Sequence, residues 1–186
     1  MDGSELMLYI AQGKEQAFTE LYNRYAKSML YFFYQRLYCD EQKAQDFLQD
    51  LFLKLLDKQH LFDGSKKFKT WLYTLAANMC KNEYRKDEVR GTRVNDFAFE
   101  DVAENLLDDV LMNGYDKQVF AANLNNELNK MDDNHRLTFL LRYREEFSIT
   151  EISQILGCAE GTVKSRLFYC TKKLAIKLSA FNPQNI

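Results

Sequence analysis

Between Met1 and Asn182 the chain carries no proline; the single one is Pro183. Proline fixes φ, removes an amide donor and punctuates loops. A chain of 186 residues without it can run almost wholly as helix. No alternating apolar and polar run of useful strand length competes with that reading. An all-α fold is expected. Apolar residues make up 46% and charged residues 28%, enough for a real core. Net charge is only −2, so contact with a polyanion has to come from local patches.

Periodicity places the helices. A short amphipathic helix is expected over Ser4–Gln12, with Leu6, Leu8 and Ile10 among its apolar residues and Gly13 ending it. A longer one follows over Glu15–Tyr38, where Phe18, Leu21, Tyr22, Tyr25, Met29, Phe32 and Phe33 recur at three and four. Such an aromatic stripe reads as core. Asp40 caps a helix over Glu41–Asp57. Its Ala44, Phe47, Leu48, Leu51, Phe52 and Leu55 turn inward; Asp46, Gln49 and Asp50 stay outside near Lys43 and Lys54. His60–Phe68 is a loop around Asp63-Gly64-Ser65, which is strong turn chemistry. Its Lys66 and Lys67 lie between Phe62 and Phe68, and interleaved charge and aromatics suit single-stranded nucleic acid.

The helix from Lys69 to about Lys86 has two unlike faces. Leu72, Leu75, Ala76, Met79 and Cys80 form one; Thr70, Thr74, Asn78, Lys81, Asn82 and Arg85 form the other. Amides can bond base edges, and Lys and Arg suit phosphates. The only tryptophan, Trp71, reads either as core or as a wedge against a base pair, with burial favoured. From Arg93 to Lys117 seven acids oppose two bases, a net of −5, and apolar periodicity fades. This is read as a flexible acidic linker, able to keep basic surfaces off random DNA. Amphipathic helix resumes over Gln118–Met131, Asp132-Asp133-Asn134 makes a turn and cap, and Arg136–Arg144 is helical. The tail Ser179–Ile186 is expected to fray.

The stretch Ile149–Lys173 carries the strongest signal. Ser148 and Glu151 fit a capping box. Ile149, Ile152, Ile155 and Leu156 recur at helical spacing, and Gly157 falls where a helix ends in a left-handed residue. Ser153 is small where a second helix must cross closely. That helix begins near Glu160, with Val163, Leu167 and either Cys170 or Leu174 inward and Thr162, Lys164, Ser165, Arg166, Tyr169 and Lys172 outward. No Ser or Pro stands near Cys158 to cap it. This is a helix-turn-helix layout with a basic outer face, suited to a major groove.

With these features in order, the chain resembles the extracytoplasmic-function (ECF) group of the sigma-70 family, bacterial RNA polymerase sigma factors. DFLQDLFLKLLDK and FKTWLYTLAANMCKNEYRK resemble the second conserved region, and MDDNHRLTFLLRYREEFSITEISQILGCAEGTVKSRL the C-terminal promoter-binding domain. The resemblance spans roughly Ser4–Leu178. It implies two small helical domains: residues 1–92 for core polymerase binding and the minus-ten element, and 118–186 for the minus-thirty-five element. Residues 93–117 would join them. It implies that Asp46, Gln49, Asp50 and Phe52 contact the clamp helices of the largest polymerase subunit. Phe62, Lys66, Lys67, Phe68, Asn78, Lys81, Asn82 and Arg85 would read the minus-ten strand, with one melted base held in the loop. Lys164, Ser165, Arg166 and Phe168 would approach the minus-thirty-five element, with Thr162, Tyr169 and Lys172 on the same outer face. Many members carry arginine-alanine-arginine where this chain has Tyr169-Cys170-Thr171, and tyrosine cannot make arginine's bidentate contact to guanine.

The expected partners are core RNA polymerase, promoter DNA and an anti-sigma factor. A competing reading is a helix-turn-helix regulator acting without being a polymerase subunit; a helical adaptor that leaves DNA alone is disfavoured by the basic outer face. No His–carboxylate, Cys–His or phosphate-loop constellation points to an enzyme. The four cysteines and two histidines keep no metal-ligand spacing, so neither metal nor cofactor is expected. Packed, reduced thiols are expected instead. Met1–Tyr9 has no long apolar core and no stretch approaches about 18 apolar residues. A cytoplasmic protein is expected.

Overall fold

The computed structural model describes residues 1–58, 62–64, 67–90 and 114–181. All regular structure among them is helical: α1 Gly3–Ala11, α2 Glu15–Arg36, α3 Glu41–Asp57, α4 Phe68–Arg90, α5 Gly114–Asn129, α6 Asp133–Tyr143, α7 Ile149–Leu156 and α8 Glu160–Lys177. A 3-10 turn, Ser179–Phe181, follows α8. No described helix is long and apolar enough to cross a membrane. The helices group into two compact units.

In the first unit α2 is the central element, packing on α1, α3 and α4. Its Leu21, Met29, Phe32 and Phe33 are buried with Leu6 of α1, Leu51 and Leu55 of α3, and Leu72 and Ala76 of α4. Ring contacts knit these helices together: Phe32 meets Tyr73 at 5.4 Å and Phe33 meets Phe47 at 5.5 Å, both edge to face. Asp2 caps α1 through a reciprocal pair, its carboxylate accepting from the Glu5 amide and Glu5 accepting from the Asp2 amide. Asp40 caps α3 by accepting from the Lys43 amide at 2.9 Å. The helix expected to reach Tyr38 ends at Arg36, because Tyr38 and Cys39 both take left-handed φ, 57° and 59°. Such conformations cost a non-glycine residue free energy. They hold here with the Cys39 amide bonded to the Tyr34 carbonyl and the Tyr38 ring against Tyr84.

In the second unit α8 packs on α6 and α5. Its Val163 and Leu167 are buried, as their spacing predicts, and Cys170 and Leu174, expected as alternatives, are both buried with them. Asp132 caps α6, accepting from the amides of Asn134 and His135. The capping box before α7 forms: the Glu151 amide donates to Ser148 Oγ at 3.2 Å, and the Ser148 amide to Glu151 Oε2 at 2.8 Å. Gly157 closes α7 at φ 62°, the left-handed conformation that glycine adopts without a Cβ clash.

Other boundaries differ from expectation as well: α4 runs on to Arg90 and α6 starts at Asp133. The linker was expected to run through Lys117, yet α5 begins at Gly114; residues 91–113, which hold nearly all of the expected acidic linker, lie outside the described residues. Of the tail expected to fray, Ser179–Phe181 forms a 3-10 turn whose Phe181 ring packs edge to face on Phe120 at 5.5 Å, and residues 182–186 lie outside the described residues.

Candidate nucleic-acid interfaces

On α8 the expected reading residues share one side. Lys164, Ser165, Phe168, Tyr169 and Lys172 are exposed, and Thr162 and Arg166 half-buried. Phe168 is 68% exposed and Tyr169 50%, far from the usual burial of aromatics. Ser165 Oγ donates to the Thr162 carbonyl at 3.0 Å, and Lys172 Nζ lies 6.0 Å from the Phe168 ring centre. The start of α8, with Ala159 at its N-cap, has no side-chain cap, as expected from the lack of Ser or Pro near Cys158. A different bond secures it: Thr150 Oγ1 in α7 donates to Glu160 Oε1 at 2.7 Å, fastening the two helices across the turn.

A residue that sequence reasoning missed sits beside this face. The His135 ring packs on Tyr169 at 4.7 Å between centres, and Cys170 Sγ lies 3.4 Å from the His135 carbonyl oxygen. Burial pushes the Cys170 thiol up to about 11, so it stays a neutral donor. Partial burial alone would raise the Asp132 carboxyl, but hydrogen bonds from the His135 amide and ring outweigh it and hold that carboxyl below the usual range.

In the first unit, Asp46, Gln49 and Asp50 are exposed along α3. Phe52 does not join them. It is 3% exposed, with its ring against Tyr22 at 4.7 Å and Phe18 at 6.0 Å, so its work is packing between α2 and α3. Leu53, which sequence reasoning passed over, is 60% exposed. It lies three residues after Asp50 and four after Gln49, an apolar side chain set into the polar face.

The minus-ten candidates separate in the same way. Asn78, Asn82 and Arg85 are exposed, and Lys81 is half-buried beside them at helical spacing. Lys67 is exposed; Lys66 lies outside the described residues. Phe68, expected in the loop, is the first residue of α4 and 3% exposed. It is surrounded by Tyr25 at 5.3 Å, Phe62 at 5.6 Å and Trp71 at 5.9 Å. The half-buried Phe62 and Trp71 meet at 5.2 Å, so this aromatic cluster forms the root of the loop. Thr70, expected on the outer face of α4, is buried as well. Lys43 on α3 pairs with Glu83 at 3.0 Å and Asp87 at 3.8 Å on α4. Partial burial opposes the Lys43 charge, but the two carboxylates outweigh it and raise its pKa. The ion pairs thus join two helices whose outer faces both carry candidate contacts.

One helical unit thus carries the aromatic cluster of Phe62, Phe68 and Trp71, and the other a helix-turn-helix whose second helix exposes Lys164 and Lys172. The family description Sigma-70 region 2 matches residues 21–90, and Sigma-70, region 4 matches residues 122–169. The ECF RNA polymerase sigma factor SigW of Bacillus subtilis (strain 168) is 29% identical over 170 residues, covering 85% of this chain and 87% of the relative. RNA polymerase sigma factor YlaC of the same organism is 30% identical over 155 residues, covering 80% and 84%. The fold is similar to sigma factor RpoE solved with the anti-sigma factor NepR from Bartonella quintana, at TM-score 0.60 and 24% identity over 87% of this chain and 96% of that one. It is also similar to CnrH solved with the cytosolic domain of CnrY, at TM-score 0.61 and 22% identity over 95% and 97%. This chain belongs to the sigma-70 family of RNA polymerase sigma factors, in its ECF group.

Proposed function

We propose that this protein is the promoter-selecting subunit of a bacterial RNA polymerase and performs no catalysis of its own. The observation that carries the reading is α8: its apolar edge is buried, and it leaves Lys164, Ser165, Phe168, Tyr169 and Lys172 exposed at the end of a helix-turn-helix. That helix enters the major groove at the minus-thirty-five element, with side chains at base edges and lysines at phosphates. Residues 118–186 form this domain and residues 1–92 the other. The exposed α3 face of Asp46, Gln49, Asp50 and Leu53 docks on the polymerase clamp. Asn78, Lys81, Asn82 and Arg85, with Phe62, Lys66 and Lys67, hold the unpaired minus-ten strand. Phe68 and Phe52 support these surfaces from beneath.

Melting needs no ATP in this scheme. Flipping a base costs a few kcal/mol, offset by stacking and edge contacts. A protein that binds the open strand better than the duplex shifts the equilibrium toward opening. A cytoplasmic location follows from action on RNA polymerase and its promoters. Since RpoE was solved with an anti-sigma factor, a protein partner of the same class is extended to this chain.

Reconstitution with core polymerase and run-off transcription on fragmented genomic DNA tests the reading. Discrete transcripts that depend on the added protein are expected; failure to co-purify with core polymerase ends it and favours a free-standing helix-turn-helix regulator. Asp50→Ala should weaken core binding and leave the DNA affinity of the full chain unchanged. Arg166→Ala should cost about 1–3 kcal/mol and relax preference at one base pair, whereas a uniform loss over all sequences would make Arg166 a phosphate contact.

A further inference from the structure

We propose that His135 is a positioning residue for promoter reading: its ring fixes Tyr169 in the orientation in which α8 meets the minus-thirty-five duplex. The inference rests on α8 being the helix that enters the groove. Tyr169 comes seven residues after Thr162 and three after Arg166, so it continues their face along the helix. A tyrosine 50% exposed on a helix surface ordinarily exchanges between rotamers. Here its ring rests on the His135 ring, 4.7 Å between centres and inclined by 56°.

His135 is a rigid support because it is held at three points. Its amide donates to Asp132 Oδ1 at 3.2 Å, and its ring Nδ1 pairs with Asp132 Oδ2. Its carbonyl oxygen accepts from the Cys170 thiol at 3.4 Å. The third bond comes from the residue next to Tyr169, so α6 and α8 are joined at the point where the two rings meet. Asp132 is itself fixed, since it also accepts from the Asn134 amide as the cap of α6. The constraints therefore run from a helix cap to a reading side chain without a freely rotating link.

A phenol held in one rotamer can turn its apolar ring to a thymine methyl and its hydroxyl to a base edge or phosphate. The freedom that an unsupported tyrosine would lose on binding DNA has already been lost on folding, and that pre-ordering is worth roughly three- to tenfold in affinity.

The test uses the full chain assembled with core polymerase and a promoter library randomised across the minus-thirty-five element. His135→Gln keeps a donor for Asp132 and removes the ring. His135→Phe keeps a ring and removes the donor. Positioning predicts that His135→Gln loses base preference at the position lost in Tyr169→Ala, with roughly three- to tenfold weaker binding of preferred sequences, and that His135→Phe retains the preference. A purely structural cap role gives the reverse ranking, and that result overturns the proposal. The double variant His135→Gln, Tyr169→Ala should bind no worse than Tyr169→Ala; additive losses also overturn it. Thermal melts identify any variant that fails to fold. If His135→Phe is one, the comparison of His135→Gln with Tyr169→Ala decides. If Arg166→Ala and Tyr169→Ala both leave preference unchanged at every position, the assignment of α8 falls, and this inference with it.

Discussion

Replacing Gly3 by alanine adds one methyl group where there is no room for it. Gly3 is buried in the first turn of α1, against the aromatic root of the loop. A Cβ there would stand 2.9 Å from Phe68 Cγ, closer still to Phe68 Cδ1, and 3.0 Å from the Tyr25 hydroxyl oxygen. Carbon atoms at optimal separation lie about 3.5–4.0 Å apart. The Phe68 ring cannot swing aside cheaply, because Tyr25, Phe62 and Trp71 pack around it. Overpacking of this kind costs about 1–3 kcal/mol, while alanine returns up to about 1 kcal/mol in helix propensity. A net loss of about 1–2 kcal/mol is expected, and each kcal/mol lowers the melting temperature of a unit this size by roughly 4–8 °C. Gly161→Ala is the contrast: it lies in α8 with no neighbour within 4 Å of the new Cβ, so only the propensity gain applies. Trp71 is the sole tryptophan and belongs to the displaced cluster, so its emission should shift in Gly3→Ala alone. A melting temperature at or above that of the parent protein, with unchanged emission, would refute the packing argument.

Three further outcomes are expected. Phe52→Ala should cost about 3–5 kcal/mol of folding stability by circular dichroism, whereas Leu53→Ala should melt normally and weaken core polymerase binding; the opposite pattern would return Phe52 to the contact face. The Asp132 carboxyl has a folded pKa below its ordinary value of about 3.9, so its contribution is present above that pH and lost as pH falls through the lower folded value. Between about pH 5 and pH 2 the parent protein should therefore lose more stability than Asp132→Asn in denaturant titrations. Burial pushes Cys80 up to about 12 and Cys170 up to about 11, so both stay protonated at pH 8; mass spectrometry after brief iodoacetamide treatment should find Cys39 and Cys158 alkylated first.

Features set by neighbours in the chain were legible in the sequence. Ser148 with Glu151, Gly157 and the inward Val163 and Leu167 depend on bonds and spacings within a few residues, and all appear as read; Cys170 and Leu174, alternatives on spacing alone, are both buried. What escaped depends on distant partners. Phe68 looks like a loop residue until Gly3 and Tyr25 close over it, and Phe52 is sealed by Phe18 and Tyr22. Tyr38 and Cys39 give no local sign of left-handed backbone, since neither is glycine. Asp132 and His135 stand at a cap and its third helical position, which foretells their bond, but the approach of α8 that brings Tyr169 onto the imidazole is tertiary.

The bond from Thr150 to Glu160 has a consequence for exchange between relatives. With the corner between α7 and α8 fastened by that bond and by the left-handed Gly157, the angle at which α8 is presented belongs to the scaffold rather than to the groove-facing side chains. Promoter choice then behaves as a removable cassette. Transplanting the outward residues of α8, together with His135, into a relative with the same stiffened corner should carry the preference across without rebuilding the protein beneath.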